Sequence, residues 1–169
     1  MVTTSPPTEA SNVELVRWVF DVLNSHQSRP LLPYWTTETI ERFPQATCVG
    51  GEAIARYFED LFTAVPDLHF RVDTVSGQGE DVFVHWHLTG RHTGAPSQGV
   101  DATGRTIALD GMDHFVVRDG IIVSNFVVFD QMQFARQLGL LPADGSLPDR
   151  ALRTAFNAKT KLLRLLRRA

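Results

Sequence analysis

The sequence predicts an α+β fold: a curved antiparallel sheet with helices packed into its concave side, followed by a helical tail. Two observations carry this. Apolar residues recur at helical spacing in the segments before Pro66, and from Pro66 to Phe129 the period changes to two. No helical pattern separates the strands of that second stretch, so the order is helices first and then a run of strands, which excludes a parallel βαβ arrangement. At 169 residues the chain reads as one domain, long enough to bury a real core.

The elements follow in order. Ser11 with Glu14 has the form of a capping box, and Val16, Val19, Phe20 and Leu23 then form one apolar stripe. The segment "SRPLLPYWTTETIERFP" holds three prolines and predicts a short helix, then an extended piece around Thr39–Phe43. Gly50-Gly51 breaks it. A second helix presents Ile54, Tyr57, Phe58, Leu61, Phe62 and Val65 on one face and stops at Pro66. "LHFRVDTV" alternates, "SGQG" turns, and "DVFVHWHLTGRH" alternates again, with Val82, Val84, Trp86 and Leu88 opposite Phe83, His85, His87 and Thr89. After the Gly-rich "TGAPSQGVDATG", "RTIALDGMDHFVV" predicts a third strand with a bulge or bend at Gly111. "RDG" makes a hairpin turn into a fourth strand, "IIVSNFVVF". Asp130 caps a short helix that ends at Gly139 and Pro142.

The division expected is a flexible leader over 1–10, the α+β domain over 11–142, a linker over 143–150 and a basic amphipathic helix over 151–169. In that helix Lys161, Arg164 and Arg168 lie opposite Leu162, Leu163 and Leu166. Such a tail is expected to dock over its own barrel or a neighbour's, more than to lie on a membrane surface.

Composition narrows the class. A hydrophobic fraction of 43% with 21% charged residues is that of a globular protein. The single cysteine, Cys48, rules out an internal disulfide and fits a reducing compartment. No apolar run approaches the ~20 residues that span a bilayer, and "MVTTSPPTEAS" lacks the basic end and apolar core of a signal peptide, so a cytoplasmic protein is expected. The net charge of −3 hides an asymmetry. Residues 150–169 hold seven Lys/Arg and no acid, whereas residues 1–149 hold nine Lys/Arg against nineteen Asp/Glu. An acidic body disfavours nucleic-acid binding.

Four strings in their order and spacing resemble the SnoaL-like polyketide cyclase family of the nuclear transport factor 2-like superfamily. They are "GGEAIARYFEDLFTAVPDLHFRV", "VHWHLTGRHTG", "TGRTIALDGMDHFVVRDGIIV" and "FDQMQFARQLGLLP". The resemblance implies a cone-shaped barrel, often a homodimer, around an apolar cavity, with no metal or organic cofactor. Members that act as aldol cyclases or epoxide hydrolases place an aspartate on the last strand, three residues before the one that opens the final helix. Counting back from Asp130, that position is Val127, which cannot move a proton.

Asp113 is then the leading candidate for chemistry. It sits mid-strand in "GMDHFVV", where a carboxylate is costly unless paired or held neutral. The string resembles the ketosteroid isomerase strand whose aspartic acid donates a hydrogen bond to an enolate, a case whose raised pKa is well known. Asn125, on a face shared with Val123 and Val127, is a candidate to orient a carbonyl or a water. The sequence shows no second acid paired with Asp113, which counts against an epoxide hydrolase. His85 and His87 form an i, i+2 pair that is a weak metal signal, so no metal is expected. Trp86, His92, Phe115, Val127, Phe58, Phe62, Trp18 and Tyr34 are expected to contact a ligand, and a wall with so few polar groups suits a hydrophobic polycyclic guest. Two functions stand: a cofactor-independent cyclase or isomerase of a polyketide- or steroid-like molecule, or a non-catalytic small-molecule-binding protein of the same fold.

Overall fold

The computed structural model describes residues 11–97 and 99–167. The expected leader and Arg168 lie outside the described residues. In chain order the elements are α1 (Asn12–Asn24), a 3-10 turn (Arg29–Tyr34), β1 (Trp35–Arg42), β2 (Thr47–Val49), α2 (Gly51–Ala64) and β3 (His69–Gln78). Then come β4 (Asp81–Arg91), β5 (Thr106–Arg118), β6 (Ile121–Phe129), α3 (Gln131–Leu138) and α4 (Leu147–Leu166). The capping box at α1 is formed: Glu14 N–H donates to Ser11 Oγ at 3.3 Å and Ser11 N–H donates to Glu14 Oε2 at 2.8 Å. Asp130 caps α3 through the N–H groups of Met132 and Gln133, and Gly139 ends it in the left-handed region at φ 83°.

The sheet has six strands in the order β2-β1-β6-β5-β4-β3 and is curved but not closed. All pairs are antiparallel except β1 with β6, which run parallel. The expected curved antiparallel sheet is thus present, with this one parallel pair as a detail the sequence did not signal. Parallel partners need a long crossover, and a pairing between segments some 80 positions apart leaves no trace in a local hydrophobic period.

Helices α1 and α2 cover the concave face. Leu15, Val16, Val19, Phe20 and Leu23 of α1 bury against the sheet beside Ile54, Phe58 and Phe62 of α2. Gln137 ties α3 to β5, its amide pairing with both backbone groups of Ala108 at 2.7 and 2.8 Å. Inward positions alternate as expected along β4 and β5. Along β6 a bulge opposite Val116–Val117 resets the alternation, so Ile122, Asn125 and Val127 are the buried set and Val123 is only half-buried.

Gly111 is not a bulge. It pairs in unbroken register with Trp86 and Phe129, and a Cβ there would lie 2.2 Å from the Trp86 ring. The glycine makes room for an indole that lies across the strand.

The tail departs from expectation. In α4 only Asp149 is buried; the rest of the described helix stands away from its own barrel. No helix among the described residues is long and apolar enough to cross a membrane.

Candidate active site

Register brings two acids together. Glu41 of β1 lies beside Asn125 of β6, and Asn125 lies diagonally from Asp113 of β5. The Asn125 amide nitrogen donates to Glu41 Oε1 at 3.0 Å and to Asp113 Oδ2 at 3.3 Å. The other Asp113 oxygen accepts the Trp86 indole N–H at 3.0 Å. That bond exists because the indole crosses Gly111 to reach the next inward position of β5.

Both acids are buried, at 7% exposure for Asp113 and 4% for Glu41. Burial pushes Asp113 up to about 7, against the opposing pull of the Trp86 and Asn125 hydrogen bonds. Burial likewise pushes Glu41 up to about 8; the Asn125 bond opposes this and the nearby Asp113 charge adds to it. Burial thus favours the protonated form of both acids, and a charge on Asp113 makes ionising Glu41 still harder.

The acids border a cavity of ≈ 90 Å³ between the concave sheet and the helices, with almost entirely apolar walls. Of the sequence-predicted ligand contacts, Trp86, His92, Phe115, Val127 and Phe58 line it. Phe62, Trp18 and Tyr34 do not: Phe62 stacks on His26, and Trp18 packs edge-on against Tyr34, so these rings belong to the surrounding packing. Asn125 is 2% exposed and sits behind the wall, holding the acids rather than facing a guest. Val127 pairs directly with Asp113 across the β5–β6 ladder, so the aliphatic side chain forms the wall next to the acid. His92 is 1% exposed, lines the cavity, and among the described residues has no hydrogen-bond partner on either ring nitrogen.

Glu41 was not anticipated, and it overturns the expectation that Asp113 has no paired acid. Its one local signal is the alternation Thr39, Glu41, Phe43 in a short extended piece. Tyr57 was expected only as a helix-face aromatic. Its hydroxyl accepts from Gln45 Nε2 at 2.6 Å, and burial raises its pKa so that it stays protonated at the cavity edge. His85 and His87 lie on the outer face of the sheet, where His87 Nδ1 meets Asp110 at 2.9 Å.

The comparisons agree with this architecture. The structure of a protein described as a SnoaL-like polyketide cyclase from Jannaschia sp. CCS1 superposes with a TM-score of 0.71 at 24% identity, covering 82% of this chain and 98% of that one. TsrD from Streptomyces laurentii gives 0.69 at 24% identity over 79% of this chain and 99% of its own. AclR from Streptomyces galilaeus, described as a hydroxylase, gives 0.68 at 18% identity over 93% and 97%. These likenesses establish the fold. No curated protein matches the chain. The family model for SnoaL-like polyketide cyclases matches residues 13–138, most of the chain and every element from α1 to α3, and the chain therefore belongs to the SnoaL-like polyketide cyclase family.

Proposed function

We propose that the chain is a cofactor-independent cyclase or isomerase acting on a hydrophobic, polyketide-like ketone, with Asp113 and Glu41 as its acid–base pair. The observation that carries this reading is the pair of buried carboxyls on one apolar cavity wall, bridged by Asn125. Enolisation needs a base at the α-carbon and a proton donor at the carbonyl oxygen. A pair that holds a single proton near neutral pH supplies both. Asn125 and Trp86 position the acids, and the apolar wall holds the carbon chain in its reactive conformer. Val127 removes the acid of other cyclases from the last strand, and in this chain the second carboxyl comes from β1 instead.

The alternative is a protein that binds an apolar small molecule without converting it. The valine at 127 and the small volume of the cavity favour it. Deuterium exchange separates the two. A polycyclic β-diketone whose binding is first confirmed by thermal stabilisation is incubated in D₂O and its α-protons are followed by NMR. Catalysis gives exchange that Asp113→Asn and Glu41→Gln each reduce about 100-fold or more. Binding without exchange in the wild type refutes the enzymatic reading.

A further inference from the structure

We propose that α4 is an exchange arm: the helix of one copy covers the outer face of the sheet of a second copy, and reciprocally, giving a two-fold dimer. The base of the arm is anchored. Asp149 is buried, accepts the Gly145 N–H at 3.1 Å, and pairs with Arg153 at 2.9 Å and Arg136 of α3 at 3.8 Å. The Ser146 hydroxyl caps the same turn by accepting from Asp149 N–H at 3.4 Å. The helix thus leaves the barrel in a held direction, with its apolar stripe uncovered by its own chain.

Leu152, Phe156, Leu163 and Leu166 form that stripe and are 47–68% exposed. A fully exposed amphipathic helix gains little in water unless that face is covered. The outer sheet face offers a matching surface. Phe83 and Phe126 flank His114 on adjacent strands, and Met112 neighbours Val128. These four apolar residues are 41–50% exposed. A contiguous exposed patch of this kind marks an interaction site. At ~30 Å long, a 20-residue helix reaches across three strands spaced ~4.8 Å apart.

Charge selects the partner. The arm's residues 150–169 carry seven cations and no acid, while residues 1–149 carry nineteen acids against nine cations. Asp81 and Asp110, with side chains 53% and 68% exposed, flank the apolar patch. A second copy presents both the apolar surface and the opposite charge. An anionic membrane would attract the arm but repel the body.

Sedimentation velocity on the full chain tests this. The wild type is expected to be a dimer that weakens with added salt. Phe156→Glu/Leu163→Glu on the arm and Met112→Glu/Phe126→Glu on the sheet are each expected to weaken dimerisation about tenfold or more, with circular dichroism confirming folded protein. Mixing the two variants restores one intact contact and yields a heterodimer. A monomeric wild type overturns the proposal. So does an arm variant that still dimerises as the wild type does, which would leave a sheet-to-sheet dimer. If that same variant also loses co-sedimentation with phosphatidylglycerol vesicles, the arm is a membrane anchor and not an exchange arm.

Discussion

The two buried acids make stability depend on pH with an unusual sign. In the unfolded chain Asp113 and Glu41 lose their protons in the ordinary carboxylate range, whereas in the folded protein burial holds them protonated until about 7 and about 8. Below the ordinary range both states are protonated and the stabilisation is fully present. As pH rises through the window, the unfolded chain holds fewer protons than the native state, so stability falls by up to ~1.4 kcal/mol per pH unit for each group. Those values already include the opposing pull of the Asn125 and Trp86 hydrogen bonds, which favour the charged forms. By that slope the two groups together lose on the order of 6 kcal/mol between about pH 5 and pH 8, comparable to the whole stability of a typical domain. The assay is urea unfolding at constant ionic strength across that range, comparing wild type with Asp113→Asn/Glu41→Gln. The comparison cancels every other titrating group. The amide pair mimics the protonated acids, so the double variant should match the wild type at low pH and exceed it at high pH. Equal pH slopes in the two proteins would refute the assignment of these acids as a raised, buried pair.

The neighbouring residues give further expectations. Gly111→Ala forces a methyl into the Trp86 ring, and should cost about 1–3 kcal/mol and shift tryptophan fluorescence as the indole loses Asp113. Asn125→Leu removes the donor that serves both carboxylates; unfolding should show a loss of about 1–3 kcal/mol that is larger above pH 8 than near pH 5. His92→Leu replaces a buried ring whose nitrogens have no partner among the described residues, so calorimetry should find stability unchanged or raised by about 1 kcal/mol. If His92 meets a polar group of the guest, titration with the confirmed β-diketone should show affinity reduced about tenfold.

The features legible in the chain alone are local ones. The two helices, the four strands after Pro66, the caps at Ser11 and Asp130, and the inward alternation that points Asp113 and Trp86 into the fold are all written in spacing and end residues. Val127 was also legible, because its place is counted from a cap. Tertiary structure decided whatever depends on partners distant in the chain. The parallel β1–β6 pairing brings Glu41 to Asn125, 84 positions away. The bulge in β6 chooses Ile122 over Val123 for the core. Gly111 reads as a weak point in a strand until the indole opposite is seen to occupy its space. Local periodicity records which face a side chain takes, but only the paired strands record which side chain it meets. The chemistry proposed for this protein rests on such a meeting.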